Sequence, residues 1–267
     1  MRDISISTCF DYSQPIEEQL PMIRRAEFSH VSIGGDYMHS GILQRERLLK
    51  LRESVAKAGL KTDTVHGYAL NKSDTLEINE KLVEAAATLG APVIVLHCSP
   101  FTFNPATLEE RKNDILRKIP VLERLAEEYH IKFVFENVLP GVATDLAKYA
   151  ISQTSTGYFG LCYDSSHDQI DGPRPFTLLE DLPSRLMAVH LSDRIKYLVD
   201  HVTPGEGFID FTALCGLLAR AGMHFPLLMD VMTHSRYKDR AEFLTVTYQK
   251  AADLYDSIWM TAKKAQG

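Results

Sequence analysis

The stretch Leu186–Phe208, LMAVHLSDRIKYLVDHVTPGEGF, decides how the chain is read. It opens as a buried strand: Leu186, Met187, Ala188 and Val189 form an apolar run without a turn residue. His190, Asp193, Arg194, His201 and Glu206 follow, with Pro204, Gly205 and Gly207 shaping the loop. Parallel α/β folds build their sites this way, each apolar strand feeding polar side chains into a loop at its carboxyl end. One such strand proves little, but the chain repeats the arrangement on both sides.

Toward the amino terminus, Tyr158–Tyr163 runs into Asp164, with His167 three residues on, and Lys132–Phe135 runs into Glu136 and Asn137. Val93–Leu96 ends at His97, Thr62–Val65 at His66, and Val31–Ile33 at Gly34 and Gly35, with a first strand at Ile4–Cys9. Toward the carboxyl terminus, Leu227–Met229 ends at Asp230. Helical patterns fill the gaps. In 42–58, Leu48, Leu51 and Val55 share one face and Gly59 stops the helix. Asp74 with Glu77, and Thr107 with Glu110, read as capping boxes. Pro21 and Pro120 are expected to kink or divide their helices. Successive strand ends lie 25, 32, 31, 39, 28, 26 and 40 residues apart, about one βα unit each. Residues 1–267 are therefore predicted to form a single (β/α)8 TIM barrel. A doubly wound sheet is the alternative; it calls for a Gly-rich turn after the first strand, and Cys9–Pro15 has none.

Bulk properties narrow the partners. A net charge of −6 and a pI near 5.9 argue against nucleic acid. No apolar run approaches the ~18 residues of a membrane span, and MRDISISTCF has no signal-peptide core, so a cytoplasmic location is expected. Cys9, Cys98, Cys162 and Cys215 are scattered and read as reduced, core-packing thiols. A homo-oligomer stays open.

Six of the eight strand ends carry His, Glu or Asp: His66, His97, Glu136, Asp164, His190 and Asp230. A lone His after an apolar strand is more often a hydrogen-bonded rim residue than a ligand. Glu136 is different, because a carboxylate ending the apolar FVF run is costly to bury without a partner or a cation. Imidazole with carboxylates suits one divalent transition ion, with Mn, Co or Zn foremost. Glu136, Asp164, His190 and Asp230, from consecutive strands, are the expected ligands.

The motifs VLHCS (His97), FENV (Glu136), CYDSSH (Asp164, His167), HLSD (His190) and HVTPGEG (His201, Glu206) together resemble the xylose-isomerase-like barrel superfamily. The resemblance is to its sugar phosphate isomerase/epimerase branch, which includes ketose 3-epimerases and inosose dehydratases; class II apurinic endonucleases share the fold. It implies the same four metal ligands. It also implies substrate contacts from the position of His167 and from an Arg after the strand-7 His, for which Arg194 stands here. The strand-8 ligand is usually Glu, and Asp230 is one methylene shorter. His66, His97, His167 and His201 match extra zinc-ligand positions of the endonucleases, but Val199 stands where those carry Asp. His66, His97, His167, Arg194, His201 and Glu206 make up the expected substrate-contacting set.

The resemblance implies an isomerase or epimerase of a small sugar or sugar phosphate, working by proton abstraction next to a carbonyl through a metal-stabilised enediolate. Glu136 and Asp230, three strands apart in the ring, are the expected proton carriers: two bases on opposite faces would epimerise, one base would isomerise. A metal-dependent phosphodiesterase is the alternative, and a non-catalytic sugar- or metal-binding barrel a third. The PGEG turn at 204–207 is expected to aim Glu206, with phosphate binding the weaker reading. Phe10, Tyr12, Tyr37, Tyr68, Phe101 and Phe103 are candidates to cover the barrel mouth.

Overall fold

The computed structural model describes residues 2–100, 104–234 and 236–266. Among them, strands β1 (Ile4–Ser7), β2 (His30–Ile33), β3 (Lys61–His66) and β4 (Val93–His97) alternate with helices α1 (Ile16–Arg25), α2 (Tyr37–Ser40), α3 (Arg45–Ala58) and α4 (Thr75–Leu89). Helix α5 (Leu108–Tyr129), β5 (Lys132–Glu136), α6 (Val142–Ser152), β6 (Phe159–Asp164), α7 (Ser165–Asp168) and α8 (Thr177–Asp181) follow. The chain continues through β7 (Leu186–His190), α9 (Phe211–Arg220), β8 (Leu227–Met229) and α10 (Arg240–Gln266).

The strands form one eight-stranded parallel sheet in the order β7-β6-β5-β4-β3-β2-β1-β8. The ring closes just past β7, where Leu191 pairs with Met229 and its N–H donates to the Leu228 carbonyl at 2.9 Å. This is the (β/α)8 TIM barrel that the strand spacing predicts.

Side chains alternate across a strand. One parity of β4–β7 puts Ile94, Leu96, Phe133, Phe135, Leu161 and Val189 into the large core shared with the helices. The other puts Val93, Val95, Val134, Cys162 and Ala188 into a small separate cluster. His97, Glu136, Asp164 and His190 continue that second series, one step beyond the small cluster. The register places His97 opposite Glu136 and Asp164 opposite His190. An ordinary strand alternation therefore delivers all four ligand-type residues to the carboxyl rim.

Several local expectations change. Helices α1 and α5 run unbroken through Pro21 and Pro120. Both prolines are exposed, so water can serve the carbonyl that loses its helical partner. Asp74 and Thr107 precede their helices but make no side-chain cap; Glu77 instead pairs with Lys81 at 2.7 Å, and the Thr107 hydroxyl donates to the Asn104 carbonyl. The pattern read as one helix over 42–58 begins only at Arg45, because Gly41 at φ 68° ends the short turn of α2. The first strand stops at Ser7, and a 3-10 turn carries Cys9 over the barrel mouth. Phe101 and Phe103 lie outside the described residues. No helix among the described residues is long and apolar enough to cross a membrane.

Candidate metal centre

Glu136 is the hub. It is 1% exposed, and histidines from four other strand ends and loops surround it. His97 Nε2 lies 3.0 Å and His66 Nε2 3.6 Å from Oε2; His190 Nδ1 lies 3.2 Å and His167 Nδ1 3.3 Å from Oε1. Burial alone would raise this carboxyl, but His190 and His97 beside it, with hydrogen bonds from His167 and His190, hold it well below the ordinary carboxylate range. Burial keeps His97 below its usual value despite Glu136. Burial also opposes charge on His190 and His167. The ionised Glu136, which accepts a hydrogen bond from His190, outweighs burial there, and Asp164 and Glu136 raise His167 to about 9.

Asp164 is fixed by its own chain. Oδ1 accepts the His167 N–H at 2.8 Å and the Ser166 hydroxyl at 3.1 Å, capping α7. The Asn137 side chain clamps the Asp164 backbone on both sides, donating to its carbonyl at 2.9 Å and accepting its N–H at 2.8 Å. This leaves Oδ2 buried without a hydrogen-bond partner and facing the cluster, 3.6 Å from His167 Nδ1.

Asp230 reaches the same point although it is short: Oδ2 lies 3.8 Å from His190 Nδ1 and 3.6 Å from His201 Nδ1. Oδ1 accepts the Cys9 thiol at 3.0 Å. Burial would raise Asp230, and His190 and His201 bring it down instead. Arg236, six residues beyond Asp230 in the chain, pairs with Glu206 at 3.0 Å.

These donors fit a divalent ion. His190 Nδ1 faces carboxylate oxygens of Glu136, Asp164 and Asp230 at 3.2, 4.0 and 3.8 Å. Bonds of about 2.1 Å to one tetrahedral ion put donors about 3.4 Å apart, close to the His190–Glu136 distance, whereas among the described residues the groups that gather within 4.8 Å divide the four expected ligands between them. The orphaned Asp164 Oδ2 supplies an independent sign. His66 supplies another: Nδ1 hydrogen-bonds the Gly67 carbonyl at 3.1 Å, so in the neutral ring the lone pair on Nε2 points at Glu136. Donor atoms also gather within 4.8 Å in the groups His66–His97–Glu136, Glu136–Cys162–His190, Glu136–Asp164–His167 and Asp164–His201–Asp230. Burial pushes the Cys162 thiol up to about 12, and burial beside Asp230 pushes Cys9 well up, so both are protonated thiols in the metal-free protein at neutral pH.

The pocket above the cluster holds about 270 Å³ and is lined by His66, His97, Glu136, His167, His201 and Asp230, with Cys9, Tyr12 and Met232 on its walls. Larger hollows of about 460 and 390 Å³ lie around Asp63, Pro92 and Pro226 at the opposite barrel end. No ligand cluster among the described residues lies there, so volume does not choose the site.

Two sequence candidates go elsewhere. Arg194 is 1% exposed and is spent inside the β7 loop: Nε donates to the Ser166 carbonyl at 2.8 Å and an Nη pairs with Asp200 at 2.6 Å. Glu206 turns away from the pocket and is held by the Thr203 N–H, the Tyr237 hydroxyl and Arg236. Of the described mouth aromatics, Tyr12 alone lines the pocket; Phe10 is buried against Phe243, and the Tyr37 hydroxyl is tied to the His66 carbonyl. Cys9, read from sequence as a packing thiol, is a wall residue touching Asp230. Its place at the end of the first strand pattern was the available signal.

The class that this barrel and rim define is confirmed by comparison. The family model of the xylose isomerase-like TIM barrel matches residues 23–247, and the chain belongs to that family. It is similar to the Sinorhizobium fredii protein y4fM, with 26% identity over 281 aligned positions covering 90% of each chain. Among solved structures, the IolI protein with a bound zinc atom superposes with a TM-score of 0.79 at 19% identity, over 97% of this chain and 99% of that one. The Escherichia coli 3-keto-D-glucoside 4-epimerase YcjR superposes with a TM-score of 0.72 at 17% identity, over 96% and 100%.

Proposed function

We propose that the protein is a metal-dependent isomerase or epimerase of a small sugar. The observation that carries this reading is the convergence of His190 Nδ1 with oxygens of Glu136, Asp164 and Asp230 at the floor of a pocket of monosaccharide size. The zinc in the IolI structure and the epimerase activity in the name of YcjR support it. Glu136, Asp164, His190 and Asp230 would hold one divalent ion. When bound, such an ion supplies a Lewis acid for the carbonyl and neighbouring hydroxyl of a ketose.

The chain's own residues supply the rest. Glu136 and Asp230 are both held ionised, so each enters the reaction able to accept a proton from the carbon beside the carbonyl. Glu136 ends β5 and Asp230 directly follows β8, with β6 and β7 between them, and so they approach a substrate from different sides. Proton removal by one and return by the other inverts the carbon; return by the same group moves the carbonyl. His97 and His167 lie against the reacting carboxylate and position substrate hydroxyls. Tyr12 and Met232 cover the apolar face of the sugar and reduce access of water.

The test has two parts. Protein purified without chelator should carry about one Mn, Co or Zn per chain. With that ion, ketoses in D2O should exchange the hydrogen next to the carbonyl. A metal-free protein after loading with each ion, or a complete lack of exchange, refutes the reading.

One observation favours a second reading, a phosphodiesterase of the endonuclease kind: His66–His97–Glu136 and Asp164–His201–Asp230 offer two further donor groups. That reading expects about three ions per chain and nucleic-acid affinity falling steeply with salt. The net charge of −6, and Val199 at the position where those enzymes carry a ligand, weigh against it.

A further inference from the structure

Barrels that take phosphorylated substrates frequently hold the phosphate in the loops after strands 7 and 8, at backbone N–H groups and a helix N-terminus. Here the β7 loop forms such a cradle, and the chain fills it itself. The buried Asp193 carboxylate accepts the N–H groups of Arg194, Gly205, Gly207 and Ile209 at 2.8, 2.9, 2.8 and 3.1 Å. Gly207 fits so closely over it that a Cβ there would overlap the Asp193 carboxylate and the Arg194 carbonyl. After β8, the first turn of α10 is likewise closed by Asp239, which accepts the Glu242 N–H at 2.9 Å.

Lysine and arginine are missing from the described lining of the pocket as well. The residues outside the described set, at positions 1, 101–103, 235 and 267, include no Lys or Arg either. Three arginines of the neighbouring loops are engaged: Arg194 with Asp200, Arg236 with Glu206, Arg240 with Asp11. The pocket's histidines face Glu136 or Asp230. A phosphate dianion entering this space meets the carboxylates of Glu136 and Asp230 and no Lys or Arg, and the imidazoles there already face those carboxylates.

From these two independent features, the filled cradle and a wall without Lys or Arg, we propose that the substrate is an unphosphorylated sugar of monosaccharide size. The proposal rests on the isomerase/epimerase reading and narrows it. Asp193 takes up the backbone donors that the β7 loop would otherwise hold free for a phosphate.

The test uses the full-length protein loaded with Mn(II) and matched pairs of substrates: D-fructose, D-tagatose, D-ribulose and D-xylulose against the terminal monophosphate of each. Deuterium uptake from D2O at the carbons next to the carbonyl reports either isomerisation or epimerisation, and product analysis tells which. The expected result is that at least one free ketose is processed and that kcat/KM for its phosphate is lower by about a hundredfold or more. Equal or better use of a phosphate ester overturns this proposal while leaving the isomerase/epimerase reading in place. No exchange with any member of either series overturns both.

Discussion

The substitution Glu136→Gln separates the electrostatics of the centre from its chemistry. It keeps shape and removes one charge from a residue that is 1% exposed and faces His66, His97, His167 and His190 within 3.6 Å. In the metal-free protein at pH 6.5 the neighbouring His167 and His190 are protonated, both held above the ordinary imidazole range. The neutral amide would leave those buried cations short of one carboxylate, and breaking a buried ion pair on one side costs about 3–5 kcal/mol. Above the His167 value of about 9 that imidazole is neutral, so the penalty should shrink there. Urea unfolding in EDTA at pH 6.5 and 9.5 measures the difference. With metal supplied, the Glu136→Gln variant should remain folded but lose about a thousandfold or more of its turnover, because a ligand charge and a proton acceptor go together. Near-normal turnover, or a stability loss that is the same at both pH values, refutes the reasoning.

Three further outcomes are expected. Asp230→Asn should weaken metal affinity about tenfold or more and should destabilise the metal-free protein less than Glu136→Gln does, because its contacts to His190 and His201 are longer, at 3.8 and 3.6 Å; isothermal titration and urea curves check this, and unchanged affinity would remove Asp230 from the metal set. Metal-free wild type should lose about 3 kcal/mol between pH 6.5 and 9.5, because a His whose folded value is raised to about 9 stabilises below its unfolded value of about 6.5 and stops doing so as pH rises through 9; His190 acts with the same sign, metal affinity should rise over that window, and a flat stability profile counts against the cluster. Gly207→Ala should cost about 2–4 kcal/mol, since its Cβ overlaps the Arg194 carbonyl and the Asp193 carboxylate and disturbs the bonds that close the β7 loop; a change within about 0.5 kcal/mol in thermal unfolding would show that the loop adapts.

The barrel was readable in the chain because strands of a parallel sheet covered on both faces are continuous apolar runs. The first polar residue after such a run marks the strand end. His97, Glu136, Asp164 and His190 were placed that way, and alternation along the strands carries them to one rim without further information. The loops obey no such rule. Arg194 follows His190 by four residues and looks like a substrate contact, but its direction is set by Asp200 and the Ser166 carbonyl, which only the folded loop brings to it. Glu206 follows its tight turn as expected and then meets Tyr237 and Arg236 from beyond β8 instead of the pocket. Cys9 touches Asp230 across 221 positions of chain because ring closure sets β1 beside β8, a pairing that local periodicity does not contain. The same holds for the β7 cradle: Gly205 and Gly207 announce a turn, but that their N–H groups are already taken by Asp193 is a fact of three-dimensional closure. Sequence by itself determined which residues end strands, since burial of apolar runs is local in the chain. Tertiary structure decided which loop charges reach the site and which neutralise one another, since ion pairing depends on distances that periodicity does not set.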